Sequence, residues 1–230
     1  MKNKEKTGKA EHDGRKRKGL LVVFEGLDAS GKHTQCALLL RKLKRLGYRT
    51  AFYAFPAYST EFGGIIRRYL AGEFGPKEAL PARAIAMLYA LDRAQFKKKI
   101  EEDLKKGKIV LCDRYVQSNL YQAAKLQVGQ RKEFIAWSER LESGMPRADR
   151  VVFLDVPTAF GRKLLKKRGR AIDVHEADER FQREVRREYL NAAKKSGVWL
   201  VVNCVERGLL QPREEIASRV WNALKRKKLF

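Results

Sequence analysis

The segment Gly26-Leu27-Asp28-Ala29-Ser30-Gly31-Lys32-His33-Thr34 directly follows an apolar run at residues 20–24. A strand, a glycine-rich loop and a helix start in that order leave a chain few folds, because the loop has to present backbone N–H groups at the end of a buried strand. Gly26 and Gly31 allow backbone geometry that a Cβ would block, so successive N–H groups can converge on phosphate oxygens. The helix opening near Lys32 adds the positive end of its dipole, and the Lys32 ammonium supplies a point charge for β- and γ-oxygens. The bland alternative is a glycine-rich turn opening an ordinary helix. The usual pattern has Ser or Thr after the Lys; here His33 stands there and Thr34 comes one later. Neutral imidazole is a poor ligand for Mg²⁺, so a metal would fall to Thr34, to Asp113, or mostly to water and phosphate. Without ligand, the Lys32 head is expected in solvent.

Five short apolar runs, at residues 20–24, 50–55, 108–112, 151–156 and 198–203, alternate with helical patterns. That alternation predicts an α/β fold: a five-stranded parallel sheet with helices on both faces. Right-handed crossovers then bring the C-terminal ends of the strands to one edge, where ligands of such sheets bind. The chain shows no internal repeat and no linker. Residues 1–19 read as a basic flexible tail and residues 20–230 as one domain, which 44% hydrophobic content can supply with a core.

Asp113-Arg114-Tyr115 comes directly after the third run at that edge, where an acid can order Mg²⁺ and an Arg can clamp a phosphate with its planar fork. Alternatively the Asp only ends the strand and caps the next helix. Phe55-Pro56-Ala57-Tyr58 ends the second run, and Tyr58 could bring its hydroxyl to a phosphate. Within the helical stretch of residues 87–93, Tyr89 and Arg93 are four apart and share a face. A ring and a guanidinium so placed suit stacking on a base and bonding its edge, although helical aromatics are more often core. Residues 162–170 carry six positive charges and Gly169. They read either as a mobile basic flap over phosphates or as a solvated helix end.

The formal charge is +24, from 51 basic against 27 acidic residues. Removing the five net charges of residues 1–18 and the four of residues 225–228 leaves +15, so the excess is spread over the body. Such a surface attracts polyanions by counterion release. A phosphate-rich substrate, nucleic acid on the basic surface and tails, or plain solvation would each account for it. No apolar run approaches the roughly 20 residues of a membrane span, and the N-terminus lacks a signal-like apolar segment, so a cytoplasmic location without membrane association is expected. Cys36, Cys112 and Cys204 read as reduced core thiols.

The motifs GLDASGKHTQ, FPAYST followed by Gly63, ALDRAQ, CDRYVQSN and the basic flap, in this order, resemble thymidylate kinase of the P-loop nucleoside-monophosphate kinase group. The resemblance implies a three-layer P-loop NTPase-like fold with a small lid. It also implies γ-phosphoryl transfer from ATP to dTMP with Mg²⁺ as cofactor, and a homodimer. Gly26, Leu27, Asp28, Ala29, Ser30, Gly31, Lys32, His33 and Thr34 would hold ATP. Asp28 would meet the 3′-hydroxyl of dTMP or nearby metal. Phe55 and Tyr58 would line the monophosphate side, Tyr89 would stack on thymine and Arg93 would bond its edge. Arg114 would hold the acceptor phosphate, Asp113 the Mg²⁺ shell, and Asn119 the base or sugar side, with Tyr121 near the sugar 2′ position. Arg168 and Arg170 would be lid arginines that act with Lys32, Asp113 and Arg114 in catalysis, since Ala29 and Ser30 leave the loop without an Arg of its own. The alternatives are a kinase for another nucleoside monophosphate, or a nucleotide-dependent nucleic-acid-binding protein with weak catalysis.

Overall fold

The structure, a computed structural model, describes residues 19–76, 79–167, 178–227 and 229. The N-terminal tail and the two proposed lid arginines, Arg168 and Arg170, lie outside the described residues. The chain alternates as expected. β1 (Leu20–Gly26), α1 (Lys32–Arg45), β2 (Thr50–Ala54), α2 (Glu61–Leu70), α3 (Ala82–Ala94), α4 (Lys97–Lys105) and β3 (Ile109–Asp113) lead to a 3-10 turn at Val116–Asn119. Next come α5 (Leu120–Ala123), α6 (Val128–Leu141), β4 (Arg150–Asp155), α7 (Thr158–Lys167), α8 (Glu179–Lys195) and β5 (Trp199–Asn203). A short hairpin, β6 (Val205–Glu206) with β7 (Leu209–Leu210), precedes α9 (Arg213–Arg226).

β1 to β5 form one sheet in the order β2-β3-β1-β4-β5, parallel throughout. β1 is central and buried along nearly its whole length, as its largely apolar sequence requires of a strand covered on both faces. Side chains alternate: Val22 and Phe24 join Leu39 and Leu43 of α1 and Val220 and Leu224 of α9 on one face. Leu21 and Val23 join Ile100 of α4 on the other, and there Phe153 stacks on Tyr189 of α8 at 5.0 Å between ring centroids. The result is three layers, and all five strands end at one edge. Cys36, Cys112 and Cys204 are free and buried. The hairpin at residues 205–210 was not foreseen, because two-residue strands fall below any periodic signal.

Two glycines fix the geometry at the ligand edge. Gly31 caps α1 with a left-handed φ of 85°, which a Cβ would strain. A Cβ on Gly63 would stand 1.9 Å from the Ala57 carbonyl oxygen, so only glycine lets α2 approach the segment after β2 so closely.

Candidate active site

A cleft of ≈ 410 Å³ opens at the C-terminal ends of β1, β2 and β3, within the range of small-ligand sites. Asp28, Ala29, Gly31, Lys32 and His33 line it from the glycine-rich loop. Phe55 and Tyr58 come from the end of β2, Tyr89 and Arg93 from α3, and Asp113, Arg114 and Tyr121 from the end of β3 and the segment after it. Residues far apart in sequence thus meet where parallel strands end.

Contrary to the expectation from sequence, Lys32 is not in solvent. Its side chain is buried and Nζ donates to the carbonyls of Gly26, at 3.0 Å, and Leu27, at 2.7 Å. An ammonium without phosphate still needs oxygen partners, and the loop's own carbonyls are within reach. Burial, and after it the nearby Arg114 cation, pull Lys32 down to about 8 against the opposing pull of Asp28, Asp113 and Glu25. A lysine held so far down gives up part of its charge at mildly alkaline pH. Phosphate oxygens would favour the charged form, so ATP binding at pH 8 is expected to take up protons. Calorimetry in two buffers of different ionisation enthalpy measures this, and proton release at pH 8 would contradict it.

Arg114 adopts a left-handed φ of 66°, uncommon for a residue with a side chain, and its N–H bonds the Phe24 carbonyl at 2.9 Å. Its guanidinium donates to Asp28 Oδ1 and lies over the Tyr121 ring at 4.8 Å. Asp28 Oδ2 accepts from the Tyr121 hydroxyl at 3.1 Å and from Gln182 of α8 at 3.3 Å. Burial pushes the Asp28 carboxyl up, but Arg114 and then Lys32 outweigh it and hold the group below the usual range. Asp28 therefore stays an anionic acceptor that aims Arg114.

Beneath this pair lies a residue the sequence reading missed. Glu25, fully buried on β1, accepts from the Tyr115 N–H at 3.1 Å, the Ser118 hydroxyl at 2.9 Å and the Tyr189 hydroxyl at 2.8 Å. Burial raises its carboxyl above the ordinary range despite the lowering pull of Arg114 and these donors. An acid inside an otherwise apolar strand was the available signal. Asp92 is a second omission. It is fully buried on α3 and accepts from the Ala57 N–H at 3.0 Å and Gln95 at 3.1 Å, which holds the segment after β2 against α3.

One expected residue is held from beneath, and two fall away from the cleft wall. Arg93 reaches the cleft wall, yet its side chain is 1% exposed and forks onto Glu142, with Nε at 2.6 Å and Nη2 at 2.7 Å. Asn119 is no wall residue. It is buried, accepts from Arg93 at 3.0 Å and donates to Glu142 at 2.5 Å, so it supports the site from below. Thr34 is exposed on α1 and does not line the cleft, because it sits two positions beyond Lys32 and the helix turns it away. Gly26, Leu27 and Ser30 likewise contribute backbone or packing rather than cleft wall.

Asp113 ends β3 on the cleft wall, with Oδ2 3.4 Å from His33 Nδ1. Among the described residues no three His, Cys, Asp or Glu side chains gather into a cage. One partly buried carboxylate beside a phosphate loop fits a Mg²⁺ held mainly by phosphate and water.

A sequence profile described as thymidylate kinase matches residues 24–216. The chain belongs to the thymidylate kinase family. A thymidylate kinase of Thermomicrobium roseum is 36% identical over 209 residues, 87% of this chain and 91% of that protein. One from Mycobacterium tuberculosis is 33% identical, over 80% and 91% of the two chains. A solved structure of thymidylate kinase from Candida albicans superposes with a TM-score of 0.74 at 24% identity, covering 92% and 93% of the two chains. That likeness shows the fold. As a member of the thymidylate kinase family the chain is a nucleoside-monophosphate kinase.

Proposed function

We propose that the chain transfers the γ-phosphoryl group of ATP to dTMP, forming dTDP, with Mg²⁺ as cofactor. The observation that carries this reading is the Asp28–Arg114 pair, held between the glycine-rich loop and Tyr121 at the mouth of one cleft. Donor phosphates fit the loop and the N-terminal end of α1, and the acceptor phosphate fits Arg114, so donor and acceptor share one wall. Transfer of this kind asks mainly for positioning and for cations where charge gathers. Lys32 exchanges its carbonyl partners for phosphate oxygens, and Arg114 holds the attacking group in line. Asp113 is the carboxylate that would hold Mg²⁺ beside the loop, and the ion when bound would supply charge neutralisation to the transferred group. By resemblance, Arg168 and Arg170 supply the lid's charge.

Tyr89, partly buried on the cleft wall, is assigned the stacking surface for thymine. Gln122 also lines the cleft, and its buried Oε1 has no hydrogen-bond partner among the described residues, which suits a donor such as the N3–H of thymine. Tyr89→Ala is expected to weaken dTMP binding about tenfold or more, as loss of a base-stacking ring does, and to leave ATP binding within about twofold. Isothermal titration with each nucleotide checks this. Unfolding of the variant would instead make Tyr89 a core residue. For the function itself, the test is turnover with ATP and Mg²⁺ across monophosphates. dTMP is expected to exceed dGMP, CMP and UMP, and a different best acceptor would move the assignment to another monophosphate kinase.

The reading includes a homodimer. α2 and α3 pack together and leave Ile65, Met87 and Leu91 exposed, an apolar set that a second copy would cover. Light scattering of the purified chain decides between dimer and monomer. No described helix is long and apolar enough to cross a membrane. The three free thiols suit the reducing cytoplasm in which the reading places the chain.

A further inference from the structure

Four helices run back from the ligand edge to the opposite edge of the sheet, and each ends in a pair of exposed bases. On one face α1 finishes with Lys44 and Arg45, and α9 with Lys225 and Arg226. On the other, α4 finishes with Lys105 and then Lys106, and α8 with Lys194 and Lys195. Topology puts these ends at one level. α1, α4 and α8 each lead into the start of a parallel strand. α9 runs beside α1 in the same direction, since Gln35 bonds the Arg213 carbonyl at 2.9 Å and, further along both helices, Lys42 lies over the Trp221 ring at 4.3 Å. The chain preceding β1 joins at the same edge: a Cβ on Gly19 would stand 2.3 Å from the Leu104 carbonyl oxygen of α4.

One base at a helix end answers the helix dipole and asks for no ligand. Eight at one edge repel one another. None of the eight forms an ion pair among the described residues, and the last turns of α1, α8 and α9 contain no acid. Of the nearby acids, Asp103 is engaged with Lys108 and Tyr53, both at 2.7 Å, and Asp149 with the Leu21 N–H at 2.8 Å, which leaves the exposed Glu102 of α4 as one acid against eight bases.

We propose that this edge docks the phosphate backbone of a nucleic acid without reading its sequence. Five strands about 4.8 Å apart make an edge roughly 20 Å wide, along which a duplex presents about a dozen phosphates. A single nucleotide would engage one basic pair only, whereas an extended polyanion meets all four. A membrane surface asks for apolar side chains among the bases, and among the described residues Leu46 is the only exposed large apolar one that adjoins these helix ends in sequence. The edge lies opposite the cleft, so docking leaves the kinase site open.

Fluorescence anisotropy of the full chain with a labelled duplex of about 20 base pairs, from about 50 to 200 mM KCl, tests this. The expected slope of log affinity against log salt is about −4 or steeper. Reversing one base per helix, Arg45→Glu with Lys106→Glu, Lys195→Glu and Arg226→Glu, is expected to weaken binding at least about thirtyfold and to flatten the slope by about 3. Turnover of dTMP should stay within about twofold, and saturating duplex should leave the KM for ATP unchanged. If the quadruple variant melts early, the single reversals are read instead, each expected to weaken binding about threefold. The proposal is overturned if the wild type ignores the duplex at the lowest salt, if the reversals bind equally well, or if the duplex competes with ATP. Binding to phosphatidylserine vesicles without binding to duplex overturns it too.

Discussion

Lys32→Ala is expected to lower turnover of dTMP by at least about a hundredfold, the scale on which loss of one electrostatic stabiliser at a transferring group is measured. Lys32 is the cation that the glycine-rich loop itself carries to the donor phosphates, and neither Ala29 nor Ser30 can replace it. The structure adds a cost that the sequence did not suggest. The ammonium bonds the Gly26 and Leu27 carbonyls, so truncation strips two buried acceptors of a partner and is expected to lower stability by about 1–3 kcal/mol. Lys32→Met keeps most of the volume and separates packing from charge. Steady-state kinetics beside thermal melting check both effects, and near wild-type turnover in either variant would place the phosphates elsewhere.

Arg93→Ala carries the largest expected effect on the fold. As a residue at the base edge it would chiefly weaken dTMP binding. Its burial and its fork onto Glu142 predict more: removing one member of a buried ion pair leaves an uncompensated charge and costs about 3–5 kcal/mol. Asn119 would lose its acceptor contact to Arg93 as well, while still donating to Glu142. Denaturant unfolding of Arg93→Ala beside the double variant Arg93→Ala with Glu142→Ala measures the pair, and the double variant is expected to recover part of the loss because the orphaned carboxylate is gone. An Arg93→Ala protein as stable as wild type would return Arg93 to a purely ligand-facing role.

The sheet was legible because its strands are buried on both faces and so read as continuous apolar runs. All five expected runs coincide with observed strands within about two residues, the ordinary scatter of element ends. The cleft's wall was legible because topology alone sends the residues after β1, β2 and β3 to one edge. Hidden from sequence were the side chains that aim others. Glu142 and Gln182 belong to no local pattern, Glu25 stands out only as an acid in an apolar run and Asp92 only as part of the ALDRAQ motif, and their roles come from partners 23 to 164 positions away, except where Asp92 meets Gln95. Arg93 was half legible for the same reason: helical spacing showed the face it shares with Tyr89 on the cleft wall, but not the acid waiting beneath it.

The central claim, transfer between two nucleotides in one cleft, is tested most directly by ATP labelled at its γ-phosphorus. Incubated with the full chain, Mg²⁺ and dTMP, the label is expected to appear in dTDP, with little released as inorganic phosphate and none transferred by Lys32→Ala above about a hundredth of the wild-type rate. Label that stays in ATP or passes to inorganic phosphate, in a folded sample that binds both nucleotides, would contradict the account.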